Sequence, residues 1–360
     1  MKYIAMLLIA LCASMTMAQE ARWYESIDMN AFVSVAYSNN FNNPSDGQNG
    51  YRVFDFDHNS IKVDVAELSF AKRAIEVNQA GFRVDIVGGN SIPQISGSTG
   101  SILPKDNIDL QQMYLTWVAP VGSGLTIDAG KFLTHMGYEL IDGYDGYNDN
   151  YSRSFLFGYA IPFSHTGLRA SYAFSETVSM MLMIANGWDN PVDNNASKTV
   201  GAQIVLSPGS DAKIYLNAVF GPEQNNNNRD NRTVVDLVGV FPLSEKVTLG
   251  INADYGNEAD LKGPGEAAAW YGAALYAKAQ FTELFSLALR AELFDDKDGV
   301  RTGIKQKLTG FTLTPALNLA DGIVLRTDLR YDSSSELVFN KEGKMEKSQL
   351  TLGMNLLFAF

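Results

Sequence analysis

"LTLGMNLLFAF", residues 350–360, places Leu350, Leu352, Met354, Leu356, Phe358 and Phe360 at every second position. Thr351, Gly353 and Asn355 fall between them. Period two is the signature of a β-strand with one apolar face. In water such a face must pack on a second layer; against lipid it needs none. The same pattern recurs along the chain. "GLTIDAGKFLT" (124–134) sets Leu125, Ile127 and Ala129 against Thr126, Asp128 and Gly130. "LFSLALRAELF" (284–294) sets Phe285, Leu287, Leu289, Ala291 and Leu293 against Ser286, Arg290 and Glu292. "GIVLRTDLRYD" (322–332) sets Ile323, Leu325, Thr327, Leu329 and Tyr331 against Arg326, Asp328, Arg330 and Asp332. One face is oily throughout, and the other carries opposite charges two residues apart.

The first residues agree with lipid as the solvent. "MKYIAMLLIALCASMTMA" (1–18) has an early Lys2, an apolar run from Ile4 to Cys12, and small residues at Thr16 and Ala18. This reads as a cleaved secretory signal peptide ending at Ala18, with the barrel domain over 19–360. The apolar run is short for a membrane anchor. Leu11 stands where a lipoprotein site at Cys12 wants a small residue. Cleavage removes Lys2 and no acid, and takes the formal charge from −12 to −13. It also removes the single cysteine, so no disulfide or thiol chemistry is expected. An acidic exported chain is a poor nucleic-acid binder. Hydrophobic residues make up 46% of the sequence, yet no later run reaches the length of a transmembrane helix.

The connections alternate too. Short links fall at 72–76, 120–123, 175–177, 208–211, 243–246, 282–283 and 320–322. Longer Asn-, Asp- and Gly-rich stretches fall at 39–57, 91–107, 135–164, 188–197, 222–231, 258–266, 296–306 and 334–346. Seven turns and eight loops imply sixteen antiparallel strands, with both termini at the short-turn end. A soluble sandwich has no reason to sort its connections in this way. An outer-membrane β-barrel does, and its closure removes the edges that lipid cannot satisfy. Aromatics near strand ends (Tyr37, Trp117, Phe132, Trp188, Phe220, Phe241, Tyr255, Phe281, Phe294) are expected to form interfacial belts. Two irregularities are expected. The apolar parity of "IKVDVAELSF" flips after Val65, which signals a β-bulge. Pro315 cannot donate to a ladder, so a bulge or broken bond is expected there.

From Leu115 to Arg169 the sequence resembles the beta-barrel porin type 2 family of bacterial outer-membrane proteins. The resemblance rests on Gly-Lys-Phe at 130–132, Gly-Tyr-Glu at 137–139, Asn-Tyr-Ser-Arg-Ser at 150–154 and Pro-x-x-His-x-Gly at 162–167. "LSFAKR" (68–73) and "AGFRVDIVGG" (80–89) fit as well. It implies a porin-like channel, with no solute and no catalytic residue to carry over. Gly353, Phe358 and Phe360 resemble the terminal signal read by the barrel-assembly machinery. Membrane lipid and small hydrophilic solutes are the other expected partners, and a homotrimer is a reasonable prior.

Enzyme chemistry finds little support. "GLTIDAGKF" spaces its glycines and ends its motif wrongly for a phosphate loop, because Phe132 stands where Ser or Thr would hold magnesium. His58, His135 and His165 do not cluster with carboxylates in the sequence, and adjacent Ser164 and His165 point to opposite faces of a strand. No cofactor is expected. Asp142, Asp145 and Asp149, with Asn148, could in principle bind calcium, but they lack ordered ligand spacing and read more simply as a polar loop.

The inward parity is the informative set. Arg83, Asp85, Arg169, Asp254 and Lys278 belong to it, as do Arg290, Glu292, Arg326, Asp328 and Arg330. They are expected to line a wet pore, where alanine at Arg290 or Arg326 would be tolerated. The connection 135–164 is the longest, and its "FLFGYAIPF" is too apolar for a free loop. It is expected to fold into the lumen and pack Phe155, Phe157, Tyr159 and Phe163 on the wall. Glu139, Asp142, Asp145, Asp149 and Arg153 would then form a constriction, with an acidic surplus that favours cations. The sequence reads as a passive porin; a substrate-specific channel and a closed structural or adhesive barrel remain the alternatives.

Overall fold

The computed structural model describes residues 26–92, 108–209 and 211–359. The expected signal peptide and Phe360 therefore lie outside the described residues. The first eight barrel strands are β1 (Asp28–Asn40), β2 (Ser60–Lys72), β3 (Ala80–Gly88), β4 (Ile108–Ala119), β5 (Leu125–Leu133), β6 (Ser164–Ala173), β7 (Val178–Ala185) and β8 (Thr199–Gly209). The next seven are β9 (Ala212–Pro222), β10 (Asn231–Ser244), β11 (Val247–Gly263), β12 (Glu266–Gln280), β13 (Phe285–Asp296), β14 (Gln306–Ala320) and β15 (Ile323–Ser334). A small hairpin, β16 (Phe339–Lys341) and β17 (Lys344–Glu346), precedes the last barrel strand, β18 (Ser348–Ala359). Strands β1 to β15 and β18 close into one antiparallel barrel, each paired with its neighbours in sequence and β18 with β1. Sixteen strands match the sequence expectation, as do the start of β1 and the end of β18 at the short-turn end.

Closure is what lets the strand ends of the opening stretch stay bare. Along β18, Leu350, Met354, Leu356 and Phe358 are exposed, while Thr351, Asn355 and Leu357 are buried. The outward row needs no protein cover because lipid supplies it, and every ladder has a partner strand. The β2 bulge is present. Ser34 pairs with Val65 and Val35 with Val63, so Asp64 is the extra residue and both Asp64 and Val65 point inward. At Pro315 the β14–β15 ladder stops after Leu313↔Leu329 and resumes in the same register at Ala316↔Arg326.

Three expectations need correction. The sixth long connection is a two-residue turn, because β11 runs to Gly263 and β12 starts at Glu266. The ladder shifts register after Glu258↔Ala268 and closes at Gly263↔Glu266. Phe132 and Phe294 are fully buried inside the barrel, and Trp188 packs against the same interior cluster, so none of them joins an outer belt. Trp117, Phe220, Tyr255 and Phe281 do face outward. Finally, the lumen expected to be wet is filled by connections in its long-loop half. Phe54 from 41–59, Phe155 and Phe157 from 134–163, and Phe339 of β16 form one buried cluster there.

Candidate pore constriction

The connection 134–163 enters the barrel and makes a circuit of its wall. Gly137 N donates to Asp236 on β10 (3.0 Å) and Tyr138 N to Asn252 on β11 (3.4 Å). Tyr138 stacks on Tyr276 with centroids 4.0 Å apart. Its ring covers Gly250, where a Cβ would lie 2.3 Å from Tyr138 Cε2. Glu139 then pairs with Arg290 on β13 (2.6 Å) and Asp142 with Arg326 on β15 (2.6 Å). The tip reaches the far wall. Tyr144 N donates to Glu67 on β2 (2.8 Å), and Asp145 pairs with Arg83 on β3 (2.7 Å). The return path binds Asp149 to Lys278 on β12 (2.7 Å) and Asn150 to Thr314 on β14 (2.7 Å). Asp328 accepts from both Tyr151 N and Ser152 N (3.1 and 2.7 Å).

The apolar end then turns through a single π-helix, Leu156–Ala160. Phe155, Leu156, Phe157, Ala160, Ile161 and Phe163 are buried, as their composition demands. Phe155 N donates to Glu292, Tyr159 O accepts from Arg301 (2.6 Å), and Ala160 O accepts from Trp270 Nε1 (3.1 Å). Asp189 Oδ1 closes the circuit by accepting from Phe163 N (2.7 Å) and Ser164 N (2.9 Å). Burial pushes the Asp189 carboxyl up to about 7 despite those donors. Burial also opposes ionisation of Asp142, but Arg153 and Arg326 outweigh it and hold that carboxyl below its usual range.

Placement of the expected wall charges departs from a wet lumen. Arg290, Arg326, Arg330 and Asp328 are at most 2% exposed, and Glu292 is 6% exposed. Along β15 the inward residues Arg326, Asp328, Arg330 and Asp332 alternate in sign, and loop groups meet the first three. Arg330 binds Glu292 (3.1 Å) and Asp332 (2.7 Å) and donates to Arg153 O. Arg290 also donates to Ser152 O and binds Glu292 (3.2 Å). These are buried ion pairs, so the expected tolerance of alanine at Arg290 or Arg326 is reversed: removing one partner strands the other. Arg83 bridges Asp85 (2.9 Å) and Asp145, and Arg169 pairs with Asp128 (2.8 Å). Asp254 stands opposite Asp236 in the β10–β11 register, and neither of its oxygens receives a hydrogen bond among the described residues.

The five loop charges do not act as one group. Glu139, Asp142 and Arg153 are buried, whereas Asp145 and Asp149 keep half and a third of their side chains in solvent. The weak calcium candidate dissolves for the same reason, because Asp142, Asp145 and Asp149 each pair with a cation on a different strand. Gly353 faces inward beneath Tyr151, where a Cβ would meet Cδ1 at 3.2 Å, and Phe358 faces outward. His165 is held by Thr134 Oγ1 and Gly187 O, both at 3.2 Å, and His58 Nδ1 accepts from Asn40 N (2.9 Å).

Sequence reasoning missed a second contributor. Residues 41–59 also turn inward, and Arg52 binds Asp332 (2.5 Å) and Asp55. Phe54 packs on Phe157 and beneath Arg153, whose guanidinium lies 4.6 Å from its centroid. That segment has no periodicity; its only signal was an Arg and four aromatics in a nominal external loop. Two clefts remain beside the tip of 134–163. One, of about 240 Å³, is lined by Tyr138, Tyr147, Asp149 and Lys278. The other, of about 350 Å³ at the short-turn end, is lined by Arg73, Arg83, Asp128, Tyr144 and Asp145.

Solved structures share this architecture. The anion-selective porin from Comamonas acidovorans matches with a TM-score of 0.62 and 13% identity, covering 93% of this chain and 99% of that one. OprB of Pseudomonas putida matches at 0.61 and 11% identity, covering 93% and 95%. Outer-membrane expressed OmpT of Vibrio cholerae matches at 0.61 and 9% identity, covering 93% and 97%. At these identities the likeness is one of fold. No match is found among curated proteins. The family described as "Putative beta-barrel porin-2, OmpL-like" matches residues 26–360, which is nearly the whole chain, and the protein belongs to that family of outer-membrane porins.

Proposed function

We propose that the chain is a passive diffusion channel for small hydrophilic solutes or ions, and that 134–163 sets its width. The observation behind this is the circuit of wall contacts, which holds the loop across the interior rather than outside it. Solutes would pass beside the loop tip, through the clefts that carry Arg83 with Asp145 and Lys278 with Asp149. Glu139 and Asp142 are consumed in buried ion pairs and the solvated Asp145 and Asp149 face Arg83 and Lys278, so the charges at the clefts balance and the weak cation preference expected of the loop loses its support. The chain carries out no chemistry on this reading. Residues 1–18 act as the export signal, and Gly353, Phe358 and Phe360 present the last strand to the barrel-assembly machinery. A homotrimer is the assembly we favour; a solved OmpT of Vibrio cholerae with the same fold is described as a trimer form.

One observation favours a shut lumen instead: the buried cluster of Phe54, Phe157 and Phe339 fills the long-loop half. Planar-bilayer recording decides. Step conductance that rises when 142–151 is deleted supports the channel and its constriction. Unchanged conductance removes the loop from the path. Folded protein that gives no steps selects the shut barrel.

A further inference from the structure

The outer face of β11 to β14 carries a charged and aromatic row at its long-loop end. Tyr255, Tyr271, Asp295 and Lys307 are successive cross-strand partners, and Ser335 N continues the row by donating to Lys307 O (3.0 Å). Four residues nearer mid-membrane, the register runs Leu275, Ala291, Phe311, Tyr331 and Leu350, which are apolar or aromatic throughout. At about 3.4 Å per residue the charged row lies roughly 14 Å along the strands from the apolar one. The outward Tyr255–Tyr271 pair marks that level as the membrane interface, where strands leave hydrocarbon for headgroups, on the long-loop side.

A cleft of about 390 Å³ opens at this level, lined by Tyr271, Asp295, Lys297, Lys305, Gln306 and Lys307. Asp295 accepts from Tyr271 Oη (2.7 Å) and binds Lys307 (3.2 Å), which fixes both beside the cleft. Lys307 still keeps 64% of its side chain in solvent. Lys297 and Lys305 are exposed. Ile304, 42% exposed beside Lys305, and Phe311, 51% exposed below, offer apolar surface. Three lysines and one acid converge here in a chain whose formal charge is −12.

We propose that this cleft binds the phosphate of a lipid headgroup in the outer leaflet. The lysines and the Tyr271 hydroxyl take the phosphate, and the acyl chains lie along Tyr271, Leu293 and Phe311. The inference rests on the outer-membrane placement and not on the pore. Lysine is a strong phosphate partner as a point charge, and long stems let it reach the interface while the head stays wet.

The test is native mass spectrometry of the folded full chain with bisphosphorylated lipid A. The Lys297→Ala, Lys305→Ala, Lys307→Ala variant should retain it about a hundredfold more weakly, at about fivefold per lysine. Lys246→Ala, at the short-turn end, should retain it like the wild type. Equal retention by the wild type and the triple variant overturns the proposal. Displacement of the lipid by millimolar inorganic phosphate overturns it too, because the site would then take the free ion. Should the triple variant not fold, the Lys297→Ala, Lys305→Ala pair, both in the 297–305 connection, carries the same test. Conductance should be unchanged in all of these variants, so failure here and failure of the channel reading are separate results.

Discussion

Replacing Arg290 with alanine should free the loop while leaving the barrel intact. The guanidinium is fully buried and holds Glu139 (2.6 Å), Glu292 (3.2 Å), Ser152 Oγ (3.1 Å) and Thr312 Oγ1 (3.1 Å). Breaking a buried pair by removing one partner costs about 3–5 kcal/mol. Glu292 keeps Arg330 at 3.1 Å, so the stranded charge is Glu139, left with Ser154 N (2.7 Å) and the Ser154 hydroxyl. Glu139 belongs to the loop, and the loop can leave. The cost therefore falls on docking, not on the ladders, and shifts docked against released loop by roughly two to four powers of ten. In planar bilayers Arg290→Ala should show larger, noisier steps, with heat-modifiability of the barrel preserved. The double variant Arg290→Met, Glu139→Gln removes the stranded charge and should recover much of the quiet conductance, because neighbours in one network couple by about 0.5–3 kcal/mol. Wild-type conductance in Arg290→Ala, or a double variant no quieter than the single, would refute the anchoring argument.

Leu289 faces lipid, so Leu289→Arg should destabilise the barrel by about 2–4 kcal/mol, read as a lowered urea midpoint in liposomes. Asp145→Asn with Asp149→Asn removes the acid partner of Lys278 and one of those of Arg83 beside the two clefts; the reversal potential in a salt gradient should move toward anions, and no movement would place both acids off the path. The Asp189 carboxyl is raised from 3.8 to about 7, so its contribution to stability is present in acid and fades as the pH rises from about 4 to about 7. Asp189→Asn keeps an acceptor for Phe163 N and Ser164 N, and its denaturation midpoint should stay flat across that window. Phe360→Asp should lower the yield of heat-modifiable, membrane-embedded protein; a normal yield would remove the terminal ring from the assembly signal.

Period two made the fold legible because it reports which face each residue takes, and lipid fixes which face is oily. Leu350 to Phe358, Leu289 and Leu325 are therefore on the side the sequence assigns. Connection length fixed the strand count, and Phe155 to Phe163 betrayed an inward loop through sheer apolarity. What covers the inner face was not legible. Arg290 and Arg326 read as pore lining because alternation shows them pointing inward and says nothing of Glu139 and Asp142 arriving from another segment. Phe132 and Phe294 read as belt residues by their place near strand ends, although Phe294 shares its parity with Arg290 and Glu292. The 258–266 stretch read as a loop from its Gly-Pro-Gly and its charged residues; the β11–β12 ladder does lapse after Glu258↔Ala268, and a single closing pair, Gly263↔Glu266, makes it a turn.

The seam between β1 and β18 ties Val35 O to Asn355 Nδ2 across 320 residues of chain. Every other pairing in the barrel joins strands adjacent in sequence and can form as a local hairpin. The seam alone is a contact between the two ends, and its closure waits for the last strand to arrive. Until then the sheet is an open ribbon with two bare edges, each a row of backbone donors and acceptors that hydrocarbon cannot solvate. The outer edge of β1 is therefore satisfied only when the twelve residues of β18 pair with it, so the first strand depends on the last for its hydrogen bonds.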